Sequence, residues 1–352
     1  MLNERGKQLK TQVVETNGRS LVEFMKLVPG RRHLCLEEGA SSQWLYEILS
    51  PFAQSIAVVR GEKKHGNKSD ALDAQELAER MRTGRLGNPI YKAPASYHAL
   101  RDLVRTYGMI TEDVVRTKNR IKSIYRSRGI PTTGRQDVYH PKRRVEASAV
   151  LKPATRYATE LLGWELDRLE ELKKEAQKAM LAESRKHAIT RILETAPGIG
   201  PIRSARLVAI VVSPHRFRTS RQFWSYCGLG IVTHSSADWI QSSGGEWVRS
   251  NVQKTGGLNR NHNPLCRAIF KDAATSVITM MPKEPLHGDY QRLLEAGTKP
   301  NLAKLTIARK IAAAVLAMWK NDGPSRPQEK CGSPVWKNEF ASSSSVSEVS
   351  RK

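Results

Sequence analysis

Residues 55–81 read SIAVVRGEKKHGNKSDALDAQELAERM, and this stretch decides the fold class of the first part of the chain. Its first six residues form a β-branched run typical of a strand, and the polar loop 61–68 follows. Ser69 then precedes apolar residues at helical spacing that continue to Met81. Because a strand followed by a helix is the repeating unit of α/β domains, the stretch predicts an α/β layer fold.

The residues before this stretch repeat the same alternation. Residues 33–37 (HLCLE) read as a strand, and residues 11–15 form another short β-branched run. Helical spacing of apolar residues marks residues 21–28 and 44–49. We therefore predict that residues 1–92 form an α/β domain.

The charge of the chain indicates a polyanionic partner. The 352 residues include 58 Lys plus Arg and 34 Asp plus Glu, which gives a formal net charge of +24 at pH 7. Nucleic acid is the first candidate and an anionic membrane surface the second. No apolar run approaches about 18 residues and no signal peptide is recognisable, so we expect a cytoplasmic protein with no membrane span. The four cysteines form no Cys-x-x-Cys pair, which favours reduced thiols over zinc or disulfides.

Residues 93–187 have the pattern of an antiparallel pair of long helices. In the first helix, a coiled-coil seam broken only at Thr117 is predicted for Leu100, Leu103, Tyr107, Ile110, Val114, Ile121 and Ile124. The second helix is predicted over 155–187, with its inward positions at Leu162, Leu166, Leu169, Leu172 and Ala176. The outer face carries basic residues, among them Arg116 and Arg120. These residues form either an ordinary solvent-exposed face or a surface that binds the phosphates of a nucleic-acid backbone. The net charge favours the second interpretation.

Residues 188–282 are predicted to form a third, mostly helical unit with a tight turn, APGIGP, at 196–201. Gly198 and Gly200 could present backbone N–H groups to a phosphate, as in a helix-hairpin-helix, although such turns also occur without ligands. Downstream lies the donor-rich segment GLNRNHN at 257–263. Residues 283–322 are predicted to hold one more amphipathic helix, and residues 323–352 a disordered tail.

Two groups of side chains could carry chemistry. Glu37 and Glu38 end a predicted strand, while Asp70 and Asp73 share one face of a helix at its first turn. Together such carboxylates could hold Mg²⁺, or the aspartates could simply favour the helix N-terminus. The segment THSSADW at 233–239 sets hydroxyls beside an imidazole and a carboxylate. That pattern fits an activated nucleophile, and it equally fits ordinary turn residues.

Three stretches, in this order, resemble insertion-sequence transposases of the DEDD class. They are LEEGASSQWLY at 36–46, NKSDALDAQELA at 67–78, and the segments from APGIGP through FWSYCGL (223–229) and THSSAD to GLNRN. The resemblance extends over residues 1–322. The group that these stretches resemble is the Piv-invertase-like group, whose members act as bridge-RNA-guided recombinases.

The resemblance implies an α/β plus α architecture and a set of partners. The first domain would be RNase-H-like (RuvC-like), and the helical pair would be a coiled coil for dimer assembly and RNA contact. The last domain would be mostly helical, with a helix-hairpin-helix-like motif and a nucleophilic serine. DNA, a structured guide RNA and further copies of the chain, in a dimer or tetramer, are the implied partners.

The resemblance also implies roles for individual residues. Glu37, Asp70 and Asp73 would bind Mg²⁺ and Ser236 would attack the DNA phosphate, with Glu38 and Ser235 as neighbouring alternatives. The residues expected to contact nucleic acid are Gly198, Gly200, Arg203, Arg116, Arg120, Asn259 and Arg260.

One part of the family pattern has no match in this sequence. The family places its first Asp on a strand upstream of a segment resembling LNERGK at 2–7, and neither Glu4 nor Glu15 matches that position. The expected metal site therefore has three carboxylates rather than four. An active recombinase is the leading hypothesis, a non-catalytic nucleic-acid-binding remnant is the alternative, and a metal-dependent nuclease that uses water is the third.

Overall fold

The computed structural model describes residues 1–61, 69–132, 138–235, 239–241, 243–249 and 253–322. The chain divides into two compact units, and the boundary lies between Ala95 and Ser96. In the parts of the chain just given, no helix combines the length and the apolar character that crossing a lipid bilayer requires.

The first unit is a small parallel sheet with helices. Its elements are α1 (Gly18–Leu27), β1 (His33–Glu37), α2 (Ser42–Leu49), β2 (Ser55–Val59) and α3 (Asp70–Arg82). β1 and β2 pair in parallel, with His33 opposite Ser55 and Glu37 opposite Val59. The helix α3 packs on this sheet around a core of Ala57, Val59, Met81 and Leu86, with Cys35 and Leu77 against it. This strand–helix arrangement is consistent with the predicted α/β class.

The strand predicted at residues 11–15 is not formed. These residues have no strand partner, and the side chain of Val13 is 98% exposed. β-Branched residues favour a strand mainly through packing on a half-buried sheet face, and this segment has no such face. The chain before it makes a tight turn instead, with a bridge from Leu2 to Gln8.

The second unit is mostly helical. Its helices are α4 (His98–Arg126), α5 (Arg144–Ser148), α6 (Pro153–Ser184), α7 (Ile189–Glu194), α8 (Pro201–Val211), α9 (Ser220–Tyr226), α10 (Pro264–Met280), α11 (Pro285–Glu295) and α12 (Pro300–Asp322). Its short strands are β3 (Ile231–Ser235), β4 (Trp239–Gln241), β5 (Trp247–Arg249) and β6 (Gln253–Leu258). β3 pairs with β6 and β4 with β5, both antiparallel.

The long helices α4 and α6 pack side by side in opposite directions. Lys118 reaches Glu170, whereas Arg128, which lies just after the end of α4, reaches Thr155 near the start of α6. The buried residues of α4 are Leu100, Val104, Tyr107, Val114, Thr117, Ile121 and Tyr125.

The seam differs from the prediction at several positions. Val104 and Tyr125 are buried more deeply than the expected Leu103 and Ile124, and Thr117 lies inside the seam rather than breaking it. The Thr117 hydroxyl donates to Glu165 Oε1 at 3.4 Å, so its polar group has a partner. On α6, the prediction of an inward Leu172 is wrong, since that side chain is 38% exposed.

The main core of the second unit lies mostly among the helices that follow α6, and it also includes buried residues of α4 and α6. Helix α12 packs against α7, α9, α10 and α11. It contributes eight buried residues on more than one face: Ala303, Ile307, Ala308, Ile311, Ala312, Val315, Leu316 and Trp319. The sequence predicted an amphipathic helix here, but most sides of α12 are covered by other helices. Helix α11, which precedes it, was not predicted.

Candidate active site and nucleic-acid interface

Glu37 lies at the carboxyl end of β1, and its side chain is exposed. Its carboxylate rests directly over Gly61, just beyond the end of β2. A Cβ atom on Gly61 would stand 1.9 Å from Glu37 Oε1, closer than any real contact. A side chain at residue 61 would therefore displace this carboxylate.

Glu38 has a different environment, although it is adjacent in sequence. Lys92 Nζ donates to Glu38 Oε2 at 2.5 Å and to Ser42 Oγ at 2.8 Å, and Ser42 Oγ donates to Glu38 Oε2 at 2.9 Å. The Lys92 side chain is only 6% exposed, whereas that of Glu38 is 39% exposed, so the lysine half of this ion pair is the one shielded from water. The negative charge of Glu38 is thus already matched by a lysine, and Glu37 is the better of the two for a metal.

Asp70 and Asp73 occupy the first turn of α3, as their spacing predicted. Asp70 is exposed and Asp73 is half-buried. Within the described residues, however, no three His, Cys, Asp or Glu side chains are arranged to hold a metal ion. Carboxylates are the donors that Mg²⁺ prefers, but the structure does not gather Glu37, Asp70 and Asp73 into a coordination site.

The turn between α7 and α8 gives its two glycines different roles. Gly198 has φ +71°, and a Cβ there would lie 2.5 Å from the carbonyl oxygen of Ala273 in α10. Arg203 Nη1 donates to the Gly198 carbonyl at 2.7 Å and so secures the turn. Gly200 is the N-cap of α8 and has open space around it. Close packing thus explains Gly198, and Gly200 is the position that leaves room for a ligand.

The segment after β6 is held in place by its asparagines. Asn259 Nδ2 donates to Ser225 Oγ at 2.8 Å and to the carbonyl oxygen of Asn261 at 2.9 Å. Asn263 caps α10 by accepting from the Cys266 N–H at 3.0 Å. The amide of Asn259 is therefore engaged within the fold, while the neighbouring Arg260 has an exposed side chain.

The two arginines singled out on α4 are exposed and already have acidic neighbours. Arg116 Nη1 donates to Asp113 Oδ1 at 2.7 Å, and Arg120 Nη1 lies 3.5 Å from Glu165 Oε1. Exposed ion pairs of this kind contribute little free energy. Either guanidinium can therefore exchange its carboxylate for a phosphate at little cost.

The two candidate serines lie where a described segment of the chain ends. Ser236 is outside the described residues. Ser235 is the last residue of β3 and stands opposite Gln253, whereas Ile231 stands opposite Leu258. Because β3 and β6 are antiparallel, Ser235 lies roughly 14 Å along the strand from the end that leads to Arg260.

Sequence reasoning missed two residues that contact the candidate glutamates of the first unit. Lys92 and Gly61 define the surroundings of the two glutamates, but each acts across a long separation in sequence. No local spacing or motif marks either residue, so only the fold shows their roles.

Comparison with protein families finds two matching segments. Residues 190–291 match the model described as the Transposase IS116/IS110/IS902 family. Residues 39–127 match the IS110-type DEDD model described as Transposase. A search of curated proteins finds no match.

All the candidate residues except Glu37 and Glu38 lie within the two matched segments. The segment 39–127 contains Asp70, Asp73, Arg116 and Arg120, and Glu37 lies two residues before it. The other segment contains the remaining candidates: Gly198, Gly200, Arg203, Ser236, Asn259 and Arg260. The chain carries IS110-family transposase domains.

Proposed function

We propose that this protein cuts and rejoins DNA strands to move an insertion sequence, guided by a structured RNA. The observation that carries the proposal is the presence of both IS110-family transposase domains in one chain. The formal net charge of +24 supports it, because a protein that handles two DNA strands and an RNA must approach many phosphates.

In the proposed reaction, Ser236 is the nucleophile. Its hydroxyl oxygen forms a bond to the DNA phosphorus, and the bond from that phosphorus to one sugar oxygen breaks. The hydroxyl proton passes to a base, for which His234 and Asp238, each two residues away, are the nearest candidates in sequence, and the departing sugar oxygen takes up a proton. A hydroxyl of a second strand then reverses the step, which releases the serine and joins the two strands.

The carboxylates at the end of β1 and the start of α3 would bind Mg²⁺. Glu37 is favoured over Glu38, because Lys92 and Ser42 already occupy the Glu38 carboxylate. In a parallel β–loop–α arrangement, ligands bind beyond the carboxyl ends of the strands, where Glu37 lies. When bound, Mg²⁺ would neutralise charge at the reacting phosphate.

Nucleic acid would be held mainly through the second unit. Arg116 and Arg120 on α4, Gly200 and Arg203 at the start of α8, and Arg260 provide donors for the backbone. Gly198 would shape the turn and Asn259 the loop, rather than contacting phosphate. We further propose that the protein works as a dimer or tetramer.

A strand-exchange assay tests the enzymatic part of the proposal. Purified protein, its cognate RNA and two DNA substrates would be incubated with Mg²⁺ or with a chelator. Ser236→Ala and Asp70→Asn should each abolish joined products while they preserve nucleic-acid binding. Ser235→Ala serves as the matched control, and it should retain activity. Undiminished strand exchange by Ser236→Ala would refute the assignment of the nucleophile.

Trapping the reaction intermediate separates the proposal from its alternatives. A covalent protein–DNA adduct that disappears in Ser236→Ala supports the serine mechanism. Free cleaved ends without an adduct would instead indicate a metal-dependent nuclease that uses water. Salt-sensitive binding with no adduct at any Mg²⁺ or Mn²⁺ concentration would indicate a non-catalytic nucleic-acid-binding remnant.

A further inference from the structure

A β-hairpin of the second unit carries an exposed tryptophan next to its turn. Within the described residues, its strands β4 and β5 pair only with each other, in a register that sets Gln241 opposite Trp247. The Gln241 side chain closes the turn by donating from Nε2 to the carbonyl oxygen of Gly245 at 3.0 Å, and Gly245 has φ +82°. These contacts define the turn and place Trp247 directly after it.

Trp247 leaves most of its surface in water. The residue is 64% exposed, and the turn residues 243–246 (Ser-Gly-Gly-Glu) are exposed as well. By contrast, Trp319 is only 3% exposed, in the core of the same unit. A large aromatic ring contributes most free energy when it is covered, so Trp247 is placed for a ligand to cover rather than for the core.

The residues of the hairpin and of the neighbouring ladder favour nucleic acid as that ligand. Trp239 stands opposite Arg249, two residues along the ribbon from the pair that contains Trp247. Since side chains alternate between faces, the two pairs belong to one face of the ribbon. In the neighbouring ladder, His234 stands opposite Lys254. Aromatic rings interleaved with cationic residues are typical of surfaces that bind nucleic-acid strands, where rings stack on bases and cations approach the backbone.

The position of the hairpin in the chain favours DNA over RNA. Gln241, which stands opposite Trp247, follows the proposed nucleophile Ser236 by five positions. Extended chain between those positions spans at most about 18 Å, and pairing to the next strand adds about 5 Å. Because successive nucleotides of a strand lie about 3.4 Å apart, a DNA strand bound at Ser236 passes Trp247 within about seven nucleotides.

We propose that Trp247 stacks on an unpaired base of the DNA strand that is cut, close to the reacting phosphate. The inference rests on the proposed function for the identity of that strand. Every base has a flat aromatic face, so the contact accepts any sequence. A base held on the indole is kept from its complementary base, so the contact would keep the strand open beside the serine.

Binding of a labelled single-stranded DNA oligonucleotide tests the contact. Trp247→Ala should weaken binding by roughly 5- to 150-fold, because one base–aromatic stack is lost. The slope of log affinity against log salt should not change, since no phosphate contact is removed. Trp247→Phe keeps an aromatic ring and should restore most of the affinity. Unchanged affinity in Trp247→Ala would overturn the proposal, as would an equal loss in Trp247→Phe.

A matched control removes an exposed tryptophan elsewhere in the same unit. Trp164 lies on α6 and is 57% exposed. Trp164→Ala should leave DNA affinity unchanged, and both alanine variants should keep the denaturation midpoint of the unaltered protein, because neither side chain belongs to the core. Equal losses of affinity in Trp164→Ala and Trp247→Ala would show that the effect is not specific to the hairpin, and the proposal would be wrong.

A fluorescent base analogue locates the contact. 2-Aminopurine would be placed, one position at a time, around the cut site of DNA that carries an end of the insertion sequence. Binding should change its fluorescence at a position within about seven nucleotides of the cut, and Trp247→Ala should remove that change. If no position responds to the loss of Trp247, the proposal is wrong.

Two further outcomes would assign the indole to a different partner. Lost affinity for an RNA of the same sequence, with none lost for DNA, would identify RNA as the ligand and overturn the assignment to DNA. A changed oligomeric state in Trp247→Ala, with unchanged DNA affinity, would show that the indole packs against a second copy of the chain. None of these measurements requires strand exchange, so failure of the recombinase proposal is distinguishable from failure of this contact.

Discussion

At the residue scale, the two glycines of the α7–α8 turn lead to a direct test of packing. Gly198→Ala forces a side chain into positive φ and sets its Cβ against the Ala273 carbonyl. We expect a loss of at least about 2 kcal/mol in the free energy of unfolding. Gly200→Ser is the control, because that position is open and Ser is a favoured N-cap. Equal denaturation midpoints for the two variants would contradict this account of the turn.

Substitutions of the neighbouring glutamates of the first unit should also have different effects on stability and on strand exchange. Glu38→Gln leaves the largely buried Lys92 without its carboxylate, which should cost about 1–3 kcal/mol of stability. Glu37→Gln should change stability by less than about 0.5 kcal/mol, since its side chain is exposed, yet it should abolish strand exchange. Chemical denaturation and the strand-exchange assay measure the two effects. Loss of stability in Glu37→Gln but not in Glu38→Gln would reverse the assignment.

These residues also show how far sequence reasoning reaches. The spacing of Asp70 and Asp73 correctly predicted their place on the first turn of a helix, because that pattern is local. The roles of Lys92 and Gly61 could not be predicted, because they depend on contacts across the sheet and its loops. Whether Glu37, Asp70 and Asp73 act together stays a prediction, since the structure does not bring them into one site.

At the scale of elements, local periodicity predicted which segments form helices or strands better than it predicted which of their residues are buried or paired. The strands at 33–37 and 55–59 and the paired helices α4 and α6 were predicted from spacing alone. The β-branched run at 11–15 formed no strand, because a strand needs a neighbouring strand to pair with. Local sequence does not show whether such a neighbour exists. The seam of α4 was offset at Val104 and Tyr125, because the partner helix determines which apolar residue is covered most fully.

Helix α12 provides a test at this scale, because its environment differs most from the prediction. Ile311 is fully buried in the core formed with α7, α9 and α10. Ile311→Ala should therefore cost about 2–5 kcal/mol, through lost apolar burial and the cavity that it leaves. Leu302→Ala is the matched control, since Leu302 lies on the same helix but is 55% exposed, and it should cost less than about 1 kcal/mol. Similar small losses for both variants would show that α12 is not part of this core.

At the scale of the whole molecule, the excess of 24 positive charges should dominate how the protein meets its partners. If about six phosphates are contacted, affinity should fall by roughly 10³-fold between 50 and 200 mM salt. Two unrelated duplexes of equal length should give the same slope, because backbone contacts carry no sequence information. Fluorescence anisotropy across that salt range measures both. Affinity that does not change with salt would mean that the positive charge faces away from nucleic acid, and both the recombinase and the remnant hypotheses would lose their common physical basis.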